Sequence, residues 1–98
     1  MIEQTADGQL RVSGPMLNAN ATALLVSGRG FLRPGAAATG IVFDLSAVEE
    51  TDSSALAVIF GWLRAARERG VTLRITQPPS SMTSLAALYG VSDLLPLA

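Results

Sequence analysis

The chain contains no cysteine and no histidine, and all seven of its basic residues are arginine. Without those two side chains it lacks the usual general base at neutral pH, the thiolate nucleophile and the commonest soft metal ligands. Most enzyme classes lose their main players. A small domain without disulfides must also hold itself together by its core alone, which fits a cytoplasmic location. Aromatic residues are only 5% of the 98, charged residues 15%, and the net charge is −1. Nucleic-acid binding depends on clustered cations that neutralise phosphates, so this balance argues against it. Long apolar runs are missing too. The longest, Ala55 to Leu63, stops at Arg64, well short of the roughly 18 residues a membrane span requires. The opening MIEQTADG is acidic, with no apolar stretch of the kind a secretory signal carries.

What is present is an apolar single domain. Hydrophobic residues make up 49% and the mean hydropathy is +0.40. A body of this size has more surface than its polar residues can cover, so part of the apolar surface is expected to meet a partner.

Asp7-Gly8 lies between two short alternating segments, Ile2 to Thr5 and Gln9 to Ser13, and predicts a hairpin. Gly14-Pro15 is expected to end the second strand. Asn18 or Asn20 can cap a first helix of about ten to fourteen residues carrying Ala21, Leu24 and Leu25. Arg33 to Gly40, with small residues at Ala36 to Ala38, reads as loop. Ile41 to Phe43 is a continuous apolar run and predicts a central strand closed by Asp44-Leu45-Ser46, with Ala47 to Thr51 as connector. A helix capped by Ser53 or Asp52 should run to about Arg69 and stop at Gly70. On a helical wheel Leu56, Ile59, Phe60, Leu63 and Ala66 share the face expected on the sheet, with Val58, Trp62 and Ala65 to its side. Val71 to Thr76 alternates as a half-buried strand. Pro78-Pro79 ends it, and Ser80 or Ser81 starts a short helix with Leu85, Leu88 and Tyr89 on its apolar side. Leu94 to Leu97 should dock as a last strand or turn. This order predicts an open α/β sandwich with parallel neighbours around a β-α-β unit.

The chemistry-bearing residues are few. Asp44, Glu49, Glu50 and Asp52 cluster in sequence, and carboxylates alone can serve glycosidic acid/base chemistry or hold a hard cation. Loop carboxylates are usually solvated, and a domain this small has little room for a substrate cleft. Gly28-Arg29-Gly30 lacks the third glycine and the preceding strand of a dinucleotide motif and reads as a helix end. Arg64, Arg67, Arg69 and Arg74 form a local cluster, read first as a solvated helix end favoured by the dipole. Ser53 is a helix cap or, functionally, a phosphoacceptor at a docking surface, where added charge would meet Asp52 and Glu50. Trp62 is a core filler or an interface anchor.

The run Val42 to Val48, VFDLSAV, followed by Thr51-Asp52-Ser53-Ser54-Ala55-Leu56-Ala57-Val58-Ile59, resembles the signature of the STAS domain family, a strand ending D-L-S and then a D-[ST]-[SG]-[GA] turn into an apolar helix. VSGPM near the start, LAALYGVSDLLP near the end and the overall length look most like the MlaB-like branch, so the likeness covers nearly the whole chain. The resemblance implies a STAS-type sandwich of four to five strands and three to four helices over residues 1–98. It further implies a non-enzymatic subunit without cofactor or metal that binds the ATPase of a bacterial phospholipid-transport ABC system serving outer-membrane lipid asymmetry. Such a subunit is peripheral to the inner membrane and meets it only through the permease complex. The family's partner-contacting or phosphorylatable hydroxyl falls on Ser53, its preceding acid on Asp52, and the small positions on Ser54 and Ala55. Ala55 stands where the family often has glycine, a departure expected to cost backbone freedom. The docking face is therefore expected at Asp52, Ser53, Ser54, Ala55, Val58 and Trp62. Other members of the family are anti-anti-sigma factors, which bind an anti-sigma kinase and are switched by phosphorylation of the same serine. That is the alternative reading.

Overall fold

The computed structural model describes residues 1–35, 37 and 39–98. Of the loop read between Arg33 and Gly40, Ala36 and Ala38 lie outside the described residues. The elements are β1 (Ile2–Ala6), β2 (Gln9–Met16), a 3₁₀ turn (Asn18–Asn20), α1 (Ala21–Arg29), β3 (Ile41–Thr51), α2 (Ser53–Glu68), β4 (Leu73–Thr76), α3 (Ser80–Leu88) and a second 3₁₀ turn (Ser92–Leu94). The sheet order is β1-β2-β3-β4. β1 and β2 are antiparallel, as a two-residue hairpin dictates, while β2, β3 and β4 are parallel because a helix crosses over between each pair. Beyond β4 the chain end adds one parallel bridge: Ile75 N donates to Pro96 O at 2.8 Å and Ala98 N to Ile75 O at 2.9 Å. The mixed four-stranded sheet with three helices is the α/β architecture the sequence predicts.

The sheet has one covered face. Leu10 and Val12 of β2, Ile41, Phe43 and Leu45 of β3, and Leu73 and Ile75 of β4 are buried under the helices, while the alternate residues Gln9, Arg11, Ser46 and Arg74 are exposed. On the open face the register places Glu3, Arg11, Asp44 and Thr76 in one row across the four strands, with Arg11 Nε 3.5 Å from Asp44 Oδ2.

Several boundaries differ from those read in the sequence. β2 passes through Gly14-Pro15 to Met16. Gly14 adopts φ +83° and the register slips between Gly14 and Met16, so the missing proline N–H falls at a bulge rather than in a regular ladder. This longer β2 gives β3 a partner as far as Thr51, so the expected connector at 47–51 is strand: Ser13 pairs with Ala47, Gly14 with Val48 and Met16 with Thr51. α1 is nine residues, shorter than expected, because its approach is wound as a 3₁₀ turn. β4 begins at Leu73, since Val71 N is used to close α2 by donating to Ala66 O at 2.8 Å, with Gly70 N donating to Arg67 O. α3 turns Met82 and Ala86 inward and leaves Leu88 and Tyr89, at 75% and 56% exposure, outside.

The core centres on α2 and its contact with α1. Trp62 is fully buried, stacked on Phe43 with ring centroids 4.4 Å apart and planes 11° from parallel. Its Nε1 donates to the carbonyls of Leu24 and Leu25, each at 3.2 Å. The indole fits against α1 only because residue 28 has no side chain, since a Cβ on Gly28 would overlap Nε1 and Cε2. On the other side, a Cβ on Gly61 would come within 2.6 Å of Leu25 Cδ1. The two helices therefore approach closely enough for α1 to cover the flank of α2.

Candidate functional site

The strand β3 delivers the chain to the entrance of α2 through Asp52, whose extended backbone (φ −127°, ψ −170°) suits an N-cap. Its carboxylate serves two helical starts at once. Oδ1 accepts from Ser54 N at 2.8 Å, within the first turn of α2, and Oδ2 accepts from Asn18 N at 3.0 Å, at the head of the 3₁₀ turn that leads into α1. Each helix start has amide donors without an internal acceptor, so one anion satisfies donors from both. Ser54 Oγ donates to Asn18 Oδ1 at 3.3 Å and Asp52 N to Met16 O at 3.3 Å, which ties the end of β2 to the same junction. Asn20, the other capping candidate, holds the turn itself: its Oδ1 accepts from Leu17 N at 2.9 Å and its Nδ2 donates to Pro15 O at 2.7 Å.

These bonds hold the Asp52 carboxyl below its ordinary value of 3.8: the Asn18 amide lowers it most, desolvation opposes that, and the Ser54 amide and hydroxyl add to the lowering. Asp44 is also lowered from 3.8, chiefly by the Ser46 amide that donates to it at 2.9 Å, then by the Ser46 side chain and, against some desolvation, by Arg11 as well. A carboxyl whose folded value lies below its unfolded one contributes stability that is complete above 3.8 and disappears as the pH falls through the folded value. The melting midpoint is therefore expected to decline as the pH drops below about 3.8. Asp52→Asn keeps one oxygen for Ser54 but has none left for Asn18. It should lower the midpoint by about 5 °C near neutral pH and flatten the acid decline. Thermal melts of wild type and Asp52→Asn across that range check this, and an unaltered acid limb in the variant would count against the shared cap.

Because Asp52 does the capping, Ser53 is left over. It is the first helical residue, it is exposed, and its hydroxyl makes no hydrogen bond among the described residues. Nearby, the Thr51 and Ser81 hydroxyls bond to each other at 2.7 Å, linking the end of β3 to the start of α3.

The expected docking face must be corrected. Of its six residues Asp52, Ser53 and Ser54 reach the surface, whereas Ala55, Val58 and Trp62 are buried at 1%, 3% and 0% exposure. The wheel reading failed because it gave α2 a single neighbour. With α1 packed on its flank, the buried stripe widens to Ala55, Val58, Ile59, Trp62 and Ala66, while Phe60 and Leu63 move to its edge. Ala55 is an ordinary helical residue whose methyl group enters the core, so replacing the family's glycine costs no backbone freedom here. The exposed residue that extends the Ser53 surface along the helix is Ala57, one turn on. Its i, i+4 spacing and small size were the available signal. Asn18 joins the site from 34 residues away, and no local pattern announces it.

The carboxylates do not converge. Asp44 lies on the open sheet face beside Arg11, Glu49 and Glu50 are exposed along β3, and Asp52 is consumed by two amides. Seven residues of strand lie between Asp44 and Asp52, a span of about 25 Å. Among the described residues no group of three His, Cys, Asp or Glu side chains could hold a metal ion. Likewise, no helix is long and apolar enough to cross a membrane.

Comparison with known proteins places this geometry in context. The family described as "Mlab, STAS domain" matches residues 2–96. The intermembrane phospholipid transport system binding protein MlaB of Haemophilus influenzae is 33% identical over 55 residues, which is 56% of this chain and 52% of that protein. The chain thus matches about half the length of that curated relative. A Thermotoga maritima protein described as an anti-sigma factor antagonist superposes with a TM-score of 0.76 at 20% identity, covering 99% of this chain and 83% of its own. The anti-sigma factor antagonist SpoIIAA in its unphosphorylated form gives 0.64 at 16% identity, covering 90% and 81%. At these identities the two structures speak for the fold alone.

Proposed function

This chain belongs to the MlaB-type STAS domain family, and on that footing we propose that it is a non-catalytic subunit of a bacterial phospholipid-transport ABC system. It docks on the ATPase subunit through the entrance of α2 and supports the assembly and activity of that ATPase. Its contact with the inner membrane runs through the permease complex. The observation that carries the reading is the exposed Ser53 hydroxyl, left unbonded because Asp52 alone caps the helix and holds Asn18 beside it. The contact surface is accordingly Asn18, Ser53, Ser54 and Ala57, with Asp52 as the group that positions it. The likeness to a phospholipid-transport binding protein supports the choice of partner, and the dispersed carboxylates support a role without bond making or breaking. The chain expressed with the ATPase and permease of a phospholipid-transport ABC system from the same organism should co-elute with the ATPase in stoichiometric amount. Elution as a free chain while ATPase and permease remain together would overturn the reading.

A second reading is favoured by the same free hydroxyl. A serine exposed at the first position of a helix is accessible to a kinase, and a phosphate there would stand next to the Asp52 carboxylate and alter whatever docks. On this reading the chain is an anti-anti-sigma factor whose partner is an anti-sigma serine kinase. Intact mass after incubation with such a kinase and ATP separates the two. One phosphate per chain, absent in Ser53→Ala, is expected of the switch, whereas an unchanged mass together with retention of the ATPase is expected of the transport subunit.

A further inference from the structure

The end of the domain opposite Ser53 carries a charge that the fold does not neutralise. α1 and α2 each return from the end of one parallel strand to the start of the next, so both finish at the same end of the sheet. Five of the seven arginines, Arg29, Arg33, Arg64, Arg67 and Arg69, lie at or just beyond those helix ends. The only ion pair among the described residues is Arg11–Asp44. Asp7 in the hairpin, Glu68, and Asp93 beside the Leu94 that lines a hollow with Arg64 and Arg67 are carboxylates at this end, and none of them lies within bridging distance of an arginine.

Arginines at helix C-termini are ordinarily explained by the exposed carbonyls there. One guanidinium already meets that need for α1: Arg69 Nη1 donates to Arg29 O at 2.7 Å and to Leu32 O at 3.2 Å. Arg29 and Arg33 are then surplus, with no acceptor for either side chain among the described residues. The two line an open cleft of about 450 Å³ together with Gly30, Pro34 and Arg69. Three guanidiniums around one cleft, with the Arg29 and Leu32 carbonyls already met by Arg69, leave a concavity whose fixed charge is positive and whose free donors on Arg29 and Arg33 have the planar geometry that matches a phosphate in two-point contact.

We propose that the cleft of Arg29, Arg33 and Arg69 binds a phosphate group, presented either by a lipid head group or by a free phosphate. It is separate from the docking surface at Ser53 and does not depend on the identity of the partner there.

The test uses the full chain. Inorganic phosphate, added to the ¹⁵N-labelled protein at constant ionic strength, should produce saturable shifts in the amides of Gly30, Arg33 and Arg69 that sodium chloride does not reproduce. Replacing both Arg29→Ala and Arg33→Ala should weaken that binding at least about tenfold with an unchanged melting midpoint. The control double replacement Arg64→Ala with Arg67→Ala removes the same charge and should leave affinity within about twofold. A second arm measures co-sedimentation with phosphatidylcholine vesicles with and without phosphatidylglycerol. Binding to the anionic vesicles that is lost with Arg29 and Arg33 identifies a head group as the source, and saturable phosphate binding without co-sedimentation identifies a free phosphate. Shifts equal in chloride and phosphate, equal weakening by the two double replacements, or no binding in either arm would each overturn the proposal.

Discussion

Trp62→Ala should destabilise the domain by about 3–5 kcal/mol, the range for truncating a large aromatic in a packed core. A domain of this size has only about 5–15 kcal/mol of stability in total, so the variant should lose a large share of that margin and melt well below the wild type. The expected loss comes from three contacts made by one side chain: the stack on Phe43, the donation of Nε1 to the Leu24 and Leu25 carbonyls, and the filling of the recess opposite Gly28. Trp62→Phe keeps most of the apolar contact and loses the donor, so it should cost less than the alanine variant. Gly28→Ala attacks the same contact from α1. The buried, hydrogen-bonded indole cannot swing aside, and overpacking of this kind costs about 1–3 kcal/mol. Urea denaturation of the three variants checks the order. An alanine variant as stable as wild type but unable to hold a partner would restore the tryptophan to the surface role the sequence allowed it.

Ser53→Glu should lower affinity for the proposed ATPase partner by about 100-fold or more, because it would force a hydrated charge into a contact proposed to close on a small hydroxyl. Folding should be untouched. The Ser53 hydroxyl bonds to nothing among the described residues, and a carboxylate at the first position of a helix interacts favourably with its dipole. Isothermal titration with the ATPase, together with a melt of the variant, separates the two effects. Wild-type affinity in a folded Ser53→Glu would remove α2's entrance from the interface. Ala57→Arg, one turn along the same exposed line, should behave similarly, whereas substitutions at the arginine end should leave this affinity alone.

Much of this arrangement can be read from local signals. Asp7-Gly8 announces the hairpin, the D-L-S strand and the Asp52-Ser53-Ser54 turn announce the β3–α2 junction, and Gly70 marks the end of α2. Those signals work because capping, turn formation and strand alternation depend on a few adjacent residues. What they cannot register is a neighbour distant in the chain. Gly14-Pro15 looks like a strand end until a bulge lets β2 continue, and the length of β3 follows from that partner rather than from its own residues. The placement of Val58 and Trp62 depends on α1 lying against α2, which is decided by Gly28 and Gly61 together. For the same reason Leu88 and Tyr89 read as the inner side of α3 while the fold chooses Met82 and Ala86. At the site, the motif identified Ser53 and Asp52, but the division of labour between them depends on Asn18 as a second claimant to the Asp52 carboxylate.

Hydrogen exchange of the chain, free and bound to the ATPase subunit, reads out whether the entrance of α2 is the surface that meets the partner. Protection gained on binding should concentrate on residues 17–20 and on 53–57, the two segments joined through Asp52, with the cleft around Arg29 and Arg33 exchanging as in the free protein. Protection confined to α3 or to the arginine end, with the entrance of α2 exchanging as freely as before, would place the partner elsewhere on the domain.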